Sequence, residues 1–138
     1  MLDLTQELSV LQLIPLATET ATVTGTGVLV NNLDTGDLDM ASLNVIAVTG
    51  SGTITVQLQS SASLSTGYTN LATTALMPNT AFPVVTAALT APATLAIDPR
   101  AIGPYIRAVA TVVGISAFTI EVMLFGRALQ IGFNTNSG

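Results

Sequence analysis

One run dominates the sequence: Pro104 to Gly126, PYIRAVATVVGISAFTIEVMLFG. It gathers Tyr105, Ile106, Val109, Val112, Val113, Ile115, Phe118, Ile120, Val122 and Phe125, and Gly114 breaks it in the middle. β-Branched and aromatic residues fit a pleated, buried surface, and a central Gly marks a reversal. The reading is a β-hairpin with Gly114-Ile115 as a Gly-X turn of the II′ kind. With Val113 opposite Ser116, Ala108 faces Glu121 and Arg107 faces Val122. Alternation then puts Arg107, Val109, Thr111, Val113, Phe118, Ile120, Val122 and Leu124 on one face. The other holds Ile106, Ala108, Ala110, Val112, Ala117, Thr119, Met123 and Phe125, with Glu121 among them. Both faces are largely apolar, whereas a sheet on the outside of a soluble monomer shows one wet face. The hairpin is therefore expected at the centre of a two-layer sandwich or under another subunit.

The same run is nearly long enough to span a bilayer. Gly114, Ser116, Thr119 and Glu121 interrupt it, so a buried hairpin is preferred to a membrane helix. The first residues carry neither a basic region nor a small-residue cleavage site after an apolar core, and no signal peptide is expected.

A chain of 138 residues predicts one domain. Only 8% of its residues are charged, against about a quarter in ordinary soluble domains. Thr, Ala and Ser fill the space instead. Such a chain is expected to bury much of its surface against partners; the competing reading is a secreted β-protein with a Thr/Ser-rich surface. Cys and His are absent, Lys is absent, and the basic residues are Arg100, Arg107 and Arg127. Disulfides, thiolate metal sites and Cys nucleophiles are excluded. Acid–base and metal chemistry that uses His, and Schiff-base chemistry that needs Lys, are excluded too. The net charge of −5 disfavours nucleic acid and anionic membranes as partners. No enzyme activity and no cofactor are expected.

In chain order, Leu4, Leu8 and Leu11 recur at helical spacing, and Asp3 with Gln6 has the shape of a capping box. Pro15 would stop such a helix, which is placed over about Leu4 to Leu13. Its leucines would either cap the domain's own core or form an arm that reaches a neighbour. Residues 1–20 are assigned to that arm, 21–133 to a β-sandwich and 134–138 to a frayed tail. Val28-Leu29-Val30 is a short strand, followed by a loop with Asp34-Thr35-Gly36-Asp37 as its turn. Asp34, Asp37 and Asp39 form the acidic cluster; their spacing matches no calcium loop, so a solvated loop is preferred.

Met40 to Ser60 reads as a second hairpin turning at Gly50-Ser51-Gly52, with Ile54, Val56 and Leu58 inward and a Thr/Gln row outward. Ser60 to Tyr68 reads as a mobile polar loop. Weaker strands follow at 70–77, 81–89 (near an edge, because of Pro83) and 94–97. About eight short strands with Gly, Pro and Asx turns predict an all-β, jelly-roll-like sandwich.

Three stretches carry a family resemblance. They are Asp3 to Ser9 before a Thr/Ala-rich segment, the strand and loop Thr53 to Ala62, and the run from Pro104-Tyr105-Ile106-Arg107 through Val113-Gly114 to the last strand. Their order resembles the capsid cement (decoration) proteins of tailed phages, of the Bordetella phage group. The resemblance implies a small jelly roll that assembles as a homodimer or homotrimer. It also implies binding to the major capsid protein on the outer surface of the virion, after synthesis in the host cytoplasm. On that reading Leu4, Leu8, Leu11, Arg107, Glu121 and Arg127 are candidate oligomer or coat contacts. A charge in the run must find a partner, and Arg127 or another subunit's Arg is the candidate for Glu121.

Two other functions compete. A carbohydrate- or receptor-binding β-sandwich needs an aromatic platform, which Tyr68 could supply, although aromatics total only 4%. A carboxylate enzyme such as a glycosidase needs a second acid in one cleft with Glu121, and none can be placed there.

Overall fold

A computed structural model describes residues 8–29, 39–77, 81–98 and 102–127. They form β1 (Leu8–Glu19), β2 (Val23–Thr24), β3 (Val28–Leu29), β4 (Asp39–Ser61), β5 (Thr69–Asn70), β6 (Leu76–Met77), β7 (Ala93–Ile97) and β8 (Tyr105–Arg127). A 3-10 turn, Thr73–Ala75, precedes β6. The fold is all β and its strand pairs are antiparallel.

The two expected hairpins are corrected. β4 and β8 each run unbroken for 23 residues. They pair with each other from Met40↔Phe125 to Ser61↔Tyr105. Gly114 and Gly50 are not reversals; they sit where the β4–β8 ladder loses register, between Thr49 and Thr53. Both have positive φ, +78° and +99°, which suits Gly and few other residues.

Short connections show what happens there. The backbones of Ile54 and Val85 exchange two hydrogen bonds, and Leu89 N–H donates to the Val45 carbonyl. Four chain steps from Val85 to Leu89 reach about 14 Å at most. A straight strand from Val45 to Ile54 would need about 30 Å. β4 is therefore sharply bent between them. β8 bends alongside it: Glu19 pairs with Phe118, and Val23 pairs with Ala110. The sheet folds over itself at Gly50–Gly52 and Gly114, as strands do when they turn a corner between packed layers.

The result is a sandwich made from one hydrogen-bonded sheet. Its first layer runs β1, the C-terminal half of β8, the N-terminal half of β4, β7, β6. The second holds β2 and β3, the other halves of β8 and β4, and β5. Alternation carries one side chain in two inward along both halves. Ile106, Ala108, Ala110, Phe118, Ile120, Val122 and Leu124 of β8 are buried, with Ala41, Leu43, Val45, Ile54, Val56 and Leu58 of β4, in one core cluster. The inward set expected for 54–58 is correct. The two faces expected for the 104–126 run are not, because a hairpin register splits residues that one bent strand keeps together.

The predicted N-terminal helix is also corrected. Residues 8–13 belong to β1, at the sheet's edge, and Leu11 packs on the core from the strand. Register shifts follow Gln12 and Ile14, and Pro15 sits at the second, where an edge strand tolerates its missing N–H. The rest of the predicted helix, with Leu4, lies outside the described residues. So do the Asp34–Asp37 turn and the 134–138 tail. The segment expected as a strand over 81–89 forms no ladder; it makes the bridge at Val85 and the Leu89 hydrogen bond to Val45.

Candidate functional site

The outer face of the first layer carries an apolar row. Val10 pairs with Phe125, Phe125 with Met40, Met40 with Ala96, and Ala96 with Met77. Directly paired residues project from the same face, so the row crosses all five strands. Val10 is 55% exposed, Phe125 37%, Met40 48% and Met77 56%. Scattered single apolar residues on a surface need no explanation, but a continuous row of them is a candidate interaction surface. Two residues further along each strand the face carries Gln12, Met123, Ser42 and Thr94, and then Glu121 opposite Asn44.

The outer face of the second layer carries an ordered polar row. Gln59 of β4 pairs with Arg107 of β8 on one side and Asn70 of β5 on the other. Arg107 Nε donates to Gln59 Oε1 at 2.8 Å, and Gln59 Nε2 donates to Asn70 Oδ1 at 3.0 Å. The guanidinium carbon lies 4.2 Å from the Tyr68 ring centroid, a cation–π distance. Tyr68 is half-buried, and its hydroxyl donates to the Leu64 carbonyl at 2.7 Å. A Cβ on Gly27 would collide with that hydroxyl, so the ring's far end rests on the Gly27 backbone. The loop before it is exposed yet anchored: buried Ser61 donates to the Thr66 carbonyl and accepts from Ser63 N–H at 3.0 Å. The expected free-moving Tyr68 is instead a clamped one.

The sequence-derived candidates do not converge. Leu8 and Arg127 are paired at one end of the β1–β8 ladder, and Leu11 packs on the core. Arg107 and Glu121 lie in different layers, each facing outward. Glu121 is half-buried opposite Asn44, and no ion pair to it forms among the described residues. Among the described residues no group of three or more acidic side chains comes together as a metal site. Asp39 begins β4 and is buried, while Asp34 and Asp37 lie outside the described residues. The apolar row was missed because its members come from five separate strands, and only the pairing aligns them.

No family model and no curated protein sequence matches the chain. Among solved structures it is similar to the CBM22-1 and GH10 modules of endo-1,4-β-D-xylanase 10B from Clostridium thermocellum, complexed with xylohexaose. The identity is 10% and the TM-score 0.42, over 95% of this chain and 28% of that one. At that level the likeness bears on neither partner nor activity.

Proposed function

We propose that this chain is a virion structural protein. It would be a capsid cement protein that binds the assembled coat shell through the outer face of its first layer and keeps the shell from coming apart. The observation that carries the reading is the five-strand apolar row from Val10 to Met77. It is open to solvent in the single chain and suited to burial against protein. The low charge and the resemblance of three sequence stretches to tailed-phage cement proteins support it. The mechanism is linkage: a protein that binds only the assembled shell shifts the equilibrium toward assembly, and attachment of several copies as an oligomer raises the effective affinity. Emptied phage shells heated with and without the chain test this. Added protein is expected to raise the dissociation temperature with saturable stoichiometry. A stable monomer with no affinity for shells would overturn the reading.

One observation favours a second reading, a carbohydrate-binding module: Tyr68 is held at a fixed place beside Arg107, Gln59 and Asn70. Against it, the guanidinium already covers one face of the ring that a sugar would stack on. Glycan-array binding that disappears in Tyr68→Ala would favour it over the cement reading.

A further inference from the structure

The hydrogen-bond chain on the second layer has a direction that chemistry fixes. Arginine carries only donors, so the Gln59 group facing Arg107 Nε must be its oxygen. That turns Gln59 Nε2 toward Asn70, whose facing group must then be its own oxygen. Asn70 Nδ2 is left as a donor with no acceptor among the described residues. At the other end, neither terminal nitrogen of the Arg107 guanidinium has a hydrogen-bond partner among them, and no described carboxylate pairs with it. The row Arg107–Gln59–Asn70 therefore offers its surroundings donors from both ends, one of them cationic, on a chain whose net charge is −5. The guanidinium is held on two sides, by Gln59 Oε1 at 2.8 Å and by the Tyr68 ring at 4.2 Å, so little side-chain entropy remains to be lost on binding.

We infer that Arg107, Gln59 and Asn70 form a carboxylate-recognition point, and that its ligand is an acidic side chain on a protein partner. A donor-only surface selects an acceptor, and a planar guanidinium selects a carboxylate. The occupied Tyr68 face argues for a peptide carboxylate over an acidic sugar, which would want that ring to stack on. The inference rests on the reading of the chain as a protein-binding module, but uses the layer opposite the apolar row. A coat-facing row and a carboxylate point on the other layer would let one molecule touch two different partners.

The test is an NMR titration of the full chain with an acetylated, amidated tetraglutamate peptide. Its arms are tetraglutamine, sodium glucuronate, and the tetraglutamate peptide at high salt. The Arg107 Nε–H and Asn70 side-chain amide signals are expected to shift saturably with tetraglutamate. Tetraglutamine should leave them unmoved, and high salt should weaken the effect. Asn70→Ala and Arg107→Gln are expected to weaken binding about tenfold or more. Asn70 is exposed and its loss leaves the core intact, so a fold defect in Arg107→Gln would not remove the test. No saturable shift at Arg107, equal shifts with tetraglutamine, or tighter binding of glucuronate would overturn the inference. None of these outcomes touches the apolar row, so a failure here is separable from a failure of shell binding.

Discussion

Gly114 and Gly52 carry the bend at single positions. Gly114 has φ +78°, and a Cβ there would meet the Ser51 carbonyl oxygen; one on Gly52 would meet the Val113 carbonyl oxygen. An L-residue at Gly114 must adopt a strained conformation and push on backbone, which costs about 1–3 kcal/mol. Gly114→Ala is therefore expected to lower the urea midpoint by that amount of stability, with the m-value unchanged; an unaltered midpoint would contradict the bend. Ser61 is a second such position. Its buried hydroxyl serves both the Thr66 carbonyl and the Ser63 amide, and losing it leaves both without that partner. Ser61→Ala is expected to cost about 1–2 kcal/mol and to speed proteolysis within 62–67, read by mass spectrometry of the fragments.

At the scale of elements, much of the strand content was legible in the sequence and its connectivity was not. The alternation of Thr53 to Gln59 and the β-branched density of 105–125 located the two central strands, because burial of one face imposes a period of two. The same local signals misnamed their middles. A Gly inside a strand pattern reads equally as a tight turn or a bend. What separates them is whether Val113 pairs with Ser116 or with Thr53, sixty residues away in sequence, a fact no local window contains. The three-residue spacing of Leu8 and Leu11 misled because two apolar residues so spaced fit a strand as well as a helix; Leu8 to Gln12 pair with β8 in unbroken register. Phe118 stands just past the bend of β8 and is fully buried. Phe118→Ala is expected to cost about 3–5 kcal/mol in chemical denaturation. A cost below 1 kcal/mol would mean that the two halves of β8 do not enclose a common core.

At the scale of the whole molecule, folding one sheet over itself divides the surface into two outer faces of different chemistry. The first is apolar along one row and carries the proposed contact with the shell. The second presents Thr, Gln and the donor chain that ends in Arg107 and Asn70. Sequence composition pointed to burial against partners, since 8% charge leaves little to keep a free surface solvated. It did not locate the surface, because Val10, Met40, Met77 and Phe125 become neighbours only through β-pairing. The proposed shell contact is tested by co-sedimentation with emptied phage shells of the wild-type chain and of a Met40→Glu/Met77→Glu double variant. Both positions point outward, so the variant is expected to keep the wild-type unfolding midpoint to within about 0.5 kcal/mol of stability. The wild-type chain is expected to pellet with the shells, and the folded variant to stay in the supernatant. A folded variant that pellets as well as the wild type would contradict the proposed contact.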